Sequence, residues 1–475
     1  MHSMADLTFT YLSELLSFRS QQIYLVGGSV RDLLLGGQAM NDIDLLMPSG
    51  SEEVARAFAA AIGGSFFFLD EERRITRVMK HGAGEAVQFD FTNFEGPDLN
   101  TDLARRDFTI NAMALDLRAF VESGSLTGII DPFHGREDVK KKLVRAVRPT
   151  VLDDDPLRLL RAVRFSAALD FTIEDGTAEE IRKRADLITG PSPERIRDEL
   201  FQILSSRGAE NYLVLMDSLG LLLPVLPELA SLKGFRPGRY ELHDVLTHSL
   251  RTVGHVDGML DDLFRLSPDH AAPVLDHLEE PLEQLVPRKA ALRFACLLHD
   301  IAKPETFTET DGHVRFHDHD NRGAEKAREA CRRLRLSGAV ESMVARVIKY
   351  HMRLFNLSAP GGPSRNAVYR YCRDLKDDLP ESLMLAQADA RATSEIMAKE
   401  KFADTERPMA VVLDYYYNRF LKTEEKPLVT GQDLINAGLT PGPRFREILD
   451  DIKEKQAEGS IATRRGALDY LDRFK

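Results

Sequence analysis

Two aspartates separated by one residue, Asp42 and Asp44, follow a pair of glycines near the N-terminus. Residues two apart on a strand face the same side, so an apolar strand here points both carboxylates in one direction. Gly27 and Gly28 form a turn between another apolar strand and a helix that begins near Ser29. Backbone N–H groups of such a turn can meet phosphate, and Mg²⁺ binds to a few carboxylates plus substrate phosphates. The arrangement predicts nucleotidyl transfer with two metal ions.

The turn and the two-aspartate strand belong to one longer string, Gly27-Gly28-x-Val30-Arg31-Asp32 followed by Asp42-x-Asp44. This string resembles the head of tRNA nucleotidyltransferases and bacterial poly(A) polymerases, which belong to the DNA polymerase β-like superfamily. The resemblance implies that Asp42 and Asp44 are catalytic Mg²⁺ ligands. It also implies that the glycine pair, Arg31 and Asp32 bind the nucleotide.

Sites of this superfamily use a third carboxylate on a neighbouring strand, and the run from Ala86 to Thr92 supplies Asp90 between apolar residues. Asp90 is predicted to be a metal ligand or a base for the attacking 3′-hydroxyl. An aspartate that simply faces solvent at a sheet edge is the alternative.

The next motif, Arg105-Arg106-Asp107, is followed by Phe108-Thr109-Ile110-Asn111. It resembles the Arg-Arg-Asp motif of the family, which contacts the ribose and phosphates of the incoming nucleotide. Two arginines can hold phosphate oxygens in bidentate fashion. Asp107 and Asn111 are four residues apart and are predicted to share a helical face that reads ribose hydroxyls. A surface charge cluster that caps a helix is the alternative.

A second string places acids before Pro156 and arginines after it, at Asp155, Arg158, Arg161 and Arg164. Proline fits the first turn of a helix, so the three arginines are predicted to lie on one helical face. The resemblance implies that Asp155 and Arg158 read the nucleotide base, taking the place of a template strand. Arg161 and Arg164 are assigned to nucleotide binding. A capping aspartate with solvated arginines is the alternative.

Histidines and aspartates in the second half of the chain resemble the pattern of HD phosphohydrolases: His248, His299-Asp300, His319, His351 and Asp389. A transition-metal site is predicted at His248, His299, Asp300 and Asp389. His317 and His319 are further candidate ligands or phosphate contacts. In related enzymes this domain hydrolyses 2′,3′-cyclic phosphates and phosphate esters, whereas some relatives keep the fold without activity.

The chain has 475 residues and a formal net charge of −12, which favours several domains and argues against a large non-specific nucleic-acid surface. Its 3 cysteines have no metal-binding spacing and fit reduced thiols. The N-terminus has no signal-peptide pattern, and the sequence contains no membrane span. A cytoplasmic protein is expected, with no membrane partner, either as a monomer or as a homodimer.

The predicted fold is α+β, with a small polymerase β-like α/β head followed by an elongated all-helical body that contains an HD domain. Strands are predicted near residues 23–26, 42–47, 65–69, 76–80 and 86–91, with a helix near 52–61. The proposed domains are a head at 1–125, a base- and RNA-binding neck at 126–235, the HD domain at 236–395 and a tail at 396–475 that contacts tRNA.

These features predict template-independent addition of CCA, from CTP and ATP, to the 3′ end of tRNA. In the family, a flexible charged loop before the Arg-Arg-Asp motif helps to switch from CTP to ATP. Here the segment 95–104 is brief and has neither lysine nor arginine. Addition of CC alone, or of A alone as in poly(A) polymerases, therefore remains an alternative. Two other classes stay open, a protein-uridylylating signalling enzyme and an HD phosphohydrolase with a vestigial head.

Overall fold

A computed structural model describes residues 4–17, 22–37, 41–81, 86–237, 243–358, 362–394, 405–422, 427–458 and 460–474. The proposed boundary between the HD domain and the tail, at residues 395–396, lies outside these ranges. The strands of the described residues are β1 (Tyr24–Val26), β2 (Asp42–Met47), β3 (Ser65–Asp70), β4 (Ile75–His81), β5 (Ala86–Asn93), β6 (Ala114–Asp116), β7 (Ile129–Ile130), β8 (Leu143–Val144), β9 (Thr172–Ile173), β10 (Pro281–Glu283), β11 (Val286–Pro287), β12 (Phe307–Thr310) and β13 (His313–Phe316).

The helices of the described residues are α1 (Met4–Leu15), α2 (Gly28–Leu34), α3 (Ser51–Ile62), α4 (Leu99–Ala104), α5 (Leu117–Ser123), α6 (Gly135–Lys141), α7 (Val151–Asp154), α8 (Arg158–Leu169), α9 (Asp175–Lys183), α10 (Pro193–Ser205), α11 (Ala209–Ser218), α12 (Leu222–Val225), α13 (Val245–Leu266), α14 (Ala271–Glu279), α15 (Arg288–Leu298), α16 (Lys303–Thr306), α17 (His319–Arg333), α18 (Gly338–Tyr350), α19 (Arg353–Asn356), α20 (Arg365–Leu375), α21 (Leu379–Ser394), α22 (Glu406–Tyr415), α23 (Gly431–Asn436), α24 (Pro443–Glu458) and α25 (Arg464–Leu471). No helix among the described residues is both long enough and apolar enough to cross a membrane.

The chain divides into two compact units, residues 1–191 with 216–224, and residues 192–215 with 225–475. The first unit contains a seven-stranded sheet in the order β3-β4-β5-β2-β1-β6-β7. The central strands β2 and β5 run parallel, whereas the other neighbours are antiparallel. The five predicted strands and the helix near 52–61 are confirmed. The apolar residues of the strands alternate or run continuously, as buried strands require, and those of the helix recur at a helical period.

Helix α3 packs on one face of the central strands. Its Phe58 packs at ring-centroid distances of 5.0 Å from Phe89 and 5.7 Å from Phe91, both on β5. Left-handed glycines, Gly50 and Gly63, flank the helix, a conformation that glycine adopts without steric cost. This apolar layer buries one face of β2 and β5 and leaves the other face to polar side chains.

The second unit is mainly helical, as predicted, with α13, α15, α18 and α21 packed on one another. Two short hairpins, β10–β11 and β12–β13, interrupt the helices and correct the expectation of an all-helical body. Each strand has two to four residues, too few for a clear alternating pattern. Residues of the tail form a small core of their own, which includes Val429, Leu434 and Ile448.

Candidate active sites

The pairing of β2 with β5 brings three aspartates to one face of the sheet. Asp44 is the Cα partner of Asp90 in the parallel register, and Asp42 lies two residues before Asp44. The neighbours Ile43 and Phe89 point to the opposite side and are fully buried. The face of the sheet opposite α3 thus carries Asp42, Asp44 and Asp90, which together form the carboxylate patch.

The glycine turn closes over this patch. Gly27 has a φ of 65°, and a Cβ atom there would lie 2.9 Å from Nη1 of Arg106 and 3.1 Å from Oδ2 of Asp44. Ser29, a buried residue that sequence reasoning did not single out, donates its hydroxyl to the carbonyl of Asp42 at 3.4 Å. The same oxygen accepts the backbone N–H of Asp44 at 2.9 Å. Ser29 therefore ties the start of α2 to the strand of the two aspartates.

The electrostatics of the patch suit a divalent cation. Burial, with the charges of Asp42 and Asp90, raises the pKa of Asp44 to about 6 against the lowering effect of Arg106. Burial and the charge of Asp90 also raise the pKa of Asp42. Among the described residues, neither Asp42 nor Asp44 has an ion-pair partner. Carboxylates crowded in this way can hold Mg²⁺, which prefers oxygen ligands.

Asp90 differs from the other two carboxylates because Arg77 of β4 binds it. The Nε and Nη2 atoms of Arg77 donate to Oδ1 and Oδ2 of Asp90 at 2.6 and 2.7 Å. Arg77 is also the Cα partner of Asp90 across the antiparallel β4–β5 pair. Sequence reasoning missed Arg77, because the spacing of 13 residues gives no local signal of the contact.

The second residue of the Arg-Arg-Asp motif, Arg106, lies beside the glycine turn, and its Nε donates to Asp102 at 3.4 Å. Arg105 is exposed and pairs with Glu95 at 3.3 Å. Asp32 is also exposed and pairs with Arg31 at 2.8 Å. Only Arg106 of the two motif arginines faces the carboxylate patch directly.

Asp107 and Asn111 are buried and join two partly buried arginines in a chain of hydrogen bonds. Nη1 of Arg31 donates to Asn111 at 2.8 Å, Nδ2 of Asn111 donates to Asp107 at 3.1 Å, and Nε of Arg161 donates to Asp107 at 2.9 Å. Burial alone would raise the pKa of Asp107, but Arg161, Asn111 and the N–H of Phe108 lower it below its usual value.

This geometry corrects the expectation that Asp107 and Asn111 share a helical face. Only residues Thr109–Asn111 form a helical turn, a 3₁₀ turn, and Asp107 precedes it. The N–H of Thr109 donates to the carbonyl of Arg145, and the N–H of Val147 donates to the carbonyl of Asp107. These contacts hold the segment extended up to Phe108. The two side chains meet through their own hydrogen bond instead.

The base-reading string forms the predicted helix, which carries Arg158, Arg161 and Arg164, but the helix starts later than expected. Helix α8 begins at Arg158 rather than at Pro156, and Asp155 is extended. Oδ1 of Asp155 accepts the N–H of Leu157 at 3.2 Å. This contact holds the turn around the proline out of the helix. Asp155 and Arg158 remain close in the chain at the N-terminal end of α8.

The guanidinium of Arg158 donates to two backbone carbonyls, at 3.0 Å to Val151 and 2.9 Å to Arg105. It therefore fastens the start of α8 to the Arg-Arg-Asp motif. Arg161 and Arg164 lie further along α8, with their Cζ atoms 5.3 and 3.8 Å from the ring centre of Phe165.

Arg31 joins the same aromatic ring from α2. Its Cζ atom lies 5.5 Å from the ring centre of Phe165, within the range of a cation–π contact. Phe165 packs edge-on against Phe108 at 5.6 Å. The ring thus supports the arginines of α2 and α8, which form a cationic surface suited to a triphosphate.

The second unit gathers the predicted HD residues from several helical segments. His248 lies on α13, His299 and Asp300 follow α15, and Asp389 lies on α21. Nε2 of His248 lies 3.1 Å from Oδ1 of Asp389, and Nε2 of His299 lies 3.2 Å from Oδ2 of Asp300. The four predicted ligands therefore meet in one cluster, in which His299, Asp300 and Asp389 are buried and the side chain of His248 is 12% exposed.

Two further histidines complete the cluster. His319 begins α17 and His351 follows α18, with their ring centres 5.2 Å apart. Donor atoms fall into two groups of three, His248–His299–Asp389 and Asp300–His319–His351, and the atoms within each group lie within 4.8 Å of one another. His317, the other candidate, is exposed and lies outside both groups.

Three of these histidines are oriented by backbone carbonyls. Nδ1 of His299, His319 and His351 lies 2.7, 2.9 and 2.6 Å from a carbonyl oxygen three residues earlier. The Nε2 atoms of His319 and His351 are buried without a hydrogen-bond partner, and that of His299 lies 3.2 Å from Oδ2 of Asp300. A carbonyl at Nδ1 leaves Nε2 with its lone pair for a metal, which is how metal-binding histidines are commonly held. Burial and the charge of His299 lower the pKa of His351 to about 4, so its ring is neutral near pH 7.

Lys303 lies at the edge of this cluster, with Nζ 2.6 Å from Oδ2 of Asp300. Burial alone would raise the pKa of Asp300, but His299 and Lys303 hold it well below its usual value. The residues present therefore fit a divalent transition metal, with nitrogen and oxygen donors.

Fold and sites together define a nucleotidyltransferase head joined to an HD domain. Residues 23–145 match the family described as Poly A polymerase head domain, residues 170–233 match the family described as probable RNA and SrmB-binding site of polymerase A, and residues 245–394 match the HD domain. The chain belongs to the tRNA nucleotidyltransferase family.

Two curated relatives span nearly the whole chain. The A-adding tRNA nucleotidyltransferase of Deinococcus radiodurans is 37% identical and covers 95% of both chains. The CC-adding tRNA nucleotidyltransferase of Thermus thermophilus is 32% identical over 96% of this chain and 94% of its own. Among solved structures, a CCA-adding enzyme in an apo form shares the fold with a TM-score of 0.66 at 21% identity, covering 98% of this chain and 93% of the other.

Proposed function

We propose that this protein adds nucleotides to the 3′ end of tRNA without a template, with Mg²⁺ held by Asp42 and Asp44. The observation that carries the proposal is the pair of carboxylates on one strand face, beside a glycine turn and without ion-pair partners among the described residues. Bound Mg²⁺ would activate the attacking hydroxyl and neutralise the leaving group.

In the proposed reaction, the 3′-hydroxyl oxygen of the RNA attacks the α-phosphorus of the nucleotide. A P–O bond forms while the bond to the β-phosphate breaks, so pyrophosphate leaves and the hydroxyl proton passes to solvent. The N–H of Gly28 and the guanidinium of Arg106 are assigned to the phosphates, whereas the N–H of Gly27 donates to the carbonyl of Met113 at 3.3 Å. Arg31, Arg161 and the other arginines around Phe165 provide positive charge for phosphate oxygens.

Base choice is assigned to Asp155 and Arg158 at the start of α8. An aspartate accepts the exocyclic amino group of cytosine or adenine, and an arginine donates to a ring acceptor. In the present structure Arg158 binds the carbonyls of Val151 and Arg105. These contacts use two of the five N–H donors of its guanidinium, and reading a base is assigned to the remaining donors.

We infer that the enzyme adds part of the CCA end rather than all of it. The segment before the Arg-Arg-Asp motif, expected to be a brief loop, folds into α4 with Asp98 as its cap. The carboxylate of Asp102 accepts the N–H of Glu95 at 2.9 Å. A segment pinned in this way is unlike the flexible loop that the family resemblance ties to the switch from CTP to ATP. The Deinococcus and Thermus relatives are themselves named as A-adding and CC-adding.

Transcripts of one tRNA lacking its 3′ end, or ending in C or CC, test this proposal with labelled CTP and ATP, singly and together. Addition of two C residues to the first transcript, or of one A only to the CC-ending transcript, is the expected outcome. Extension by three nucleotides would refute partial addition and support complete CCA synthesis, which is the first expectation from the sequence. Label transferred from added UTP to a protein, with none passing from CTP or ATP to tRNA, would favour the uridylylating class.

Variants connect this activity to the carboxylates. Asp42→Ala and Asp44→Ala should each reduce incorporation by several orders of magnitude, since loss of a metal ligand removes several kcal/mol of barrier lowering. Glu122→Ala, an acid with a side chain 64% exposed on α5, is the matched control and should retain full activity. Near-normal incorporation by either aspartate variant would refute the assignment.

A second activity is proposed for the HD cluster, metal-dependent hydrolysis of 2′,3′-cyclic nucleotides. The proposal is carried by the Nε2 atoms of His319 and His351, which are buried without a hydrogen-bond partner. Their division into two groups of three donors favours a pair of ions, with Asp300 and Asp389 contributing one carboxylate to each group.

Protein stripped of metal and titrated with Ni²⁺, Mn²⁺ or Mg²⁺ tests this second activity against 2′,3′-cyclic AMP. His351→Ala should reduce both hydrolysis and bound metal, measured by elemental analysis. His317→Ala, exposed and outside the cluster, should change neither. Nucleotide addition should persist in both variants, because the carboxylate patch shares no residue with this cluster. Bound metal without hydrolysis would make the site structural.

A further inference from the structure

The ion pair between Asp90 and Arg77 sets Asp90 apart from Asp42 and Asp44. All three carboxylates lie on the same face of the sheet, and Arg77, on β4, faces the same way because it is opposite Asp90 in the register. The side chains are partly buried, 24% exposed for Arg77 and 15% for Asp90. Both oxygens of Asp90 accept from the fork of Arg77, a charge-assisted bidentate pair with fixed geometry.

A metal ion bound at Asp90 would have to displace this guanidinium or share the carboxylate oxygens with it at close range. Two positive charges would then compete for one carboxylate in a partly buried setting, where screening by water is weak. Asp42 and Asp44 offer carboxylates that need no such displacement. The charges already present therefore favour metal binding at those two residues and leave Asp90 with Arg77.

We propose that Asp90 is a positioning residue and that Arg77, held by it at the edge of the carboxylate patch, binds a phosphate oxygen of the substrates. This inference rests on the nucleotidyl-transfer activity proposed above. A guanidinium has five N–H donors, and two of those of Arg77 are directed at Asp90. The remaining donors are available to an anion, either the triphosphate of the nucleotide or the phosphate backbone near the RNA 3′ end.

Steady-state kinetics of Arg77→Gln, Asp90→Asn and the double variant test the proposal, with the concentration of Mg²⁺ at half-maximal rate measured for each. Each single variant should raise one KM by about 10- to 100-fold, the effect of losing a hydrogen bond to a charged group. A rise in the KM for nucleotide identifies the triphosphate, and a rise in that for tRNA identifies the RNA backbone. The Mg²⁺ requirement should not change.

The double variant should be no worse than either single variant, because Asp90 acts only through Arg77. Arg77→Lys keeps the positive charge but not the forked guanidinium, so its KM should rise less than that of Arg77→Gln. Arg118→Gln on α5, with its side chain 47% exposed, is the control and should behave as wild type. Thermal unfolding of every variant separates a change in binding from a loss of fold.

The opposite pattern would overturn the inference: Asp90→Asn alone raising the Mg²⁺ requirement tenfold or more and lowering kcat, while Arg77→Gln leaves both unchanged. That result would make Asp90 a third metal ligand. Wild-type protein that adds no nucleotide to any tRNA would instead refute the proposed function itself, so the two failures are distinguishable.

Discussion

Replacement of Gly27 by alanine should damage the carboxylate patch more than it damages the fold. Gly27 has φ 65° and ψ −131°, a region in which side-chain-bearing residues are strained by about 1–3 kcal/mol. The new Cβ would lie 2.9 Å from Nη1 of Arg106 and 3.1 Å from Oδ2 of Asp44. Relief of these contacts needs shifts of roughly half an ångström in groups that must be placed accurately, and a misplacement of about 1 Å can cost on the order of 100-fold in rate. We expect nucleotide incorporation to fall by about 10- to 100-fold.

Single-turnover incorporation into tRNA measures this loss, and urea denaturation measures stability. Gly124→Ala is the matched control, because Gly124 has φ 63° at the end of α5 and a Cβ added to it would have no neighbouring atom within 4 Å. It should lose about 1–2 kcal/mol of stability through its left-handed backbone and keep its activity. Equal losses of activity in the two variants would refute the reasoning, since steric contact with Arg106 and Asp44 would then have no specific effect.

Two other predictions concern base choice and pH. Arg158→Ala should weaken selection among CTP, ATP, UTP and GTP by about 1–3 kcal/mol, and unchanged ratios in a competition assay would show that the base is read elsewhere. Asp107→Asn should lose less than the roughly 3–5 kcal/mol that removal of one partner costs in a fully buried pair, because the side chain of Arg161 is 33% exposed. Since the folded pKa of Asp107 is lowered, its contribution is complete above the unfolded pKa of about 3.9 and disappears as pH falls through the folded value. The difference between wild type and Asp107→Asn in urea denaturation should therefore be constant from neutral pH to about pH 5 and shrink below about pH 4; a difference independent of pH would contradict the ion-pair origin.

Local patterns in the sequence predicted the parts of this protein whose geometry depends on a few consecutive residues. The shared face of Asp42 and Asp44 follows from the two-residue period of a strand, and the turn at Gly27 follows from the conformational freedom of glycine. The same reasoning failed at Asp107 and Asn111 and at Pro156. There, hydrogen bonds to distant backbone groups and to the side chain of Asp155 outweighed the local helical spacing.

The sequence by itself determined the mixed head, the mainly helical body and the residue types of both candidate sites, because periodicity and short motifs are properties of neighbouring residues. Only the tertiary structure decided which charges neutralise each other. Arg161 pairs with Asp107 across 54 residues of sequence, and strand register places Arg77 opposite Asp90. Such partners depend on how strands and helices pack, and an ion pair leaves no period in the sequence from which its partner can be read.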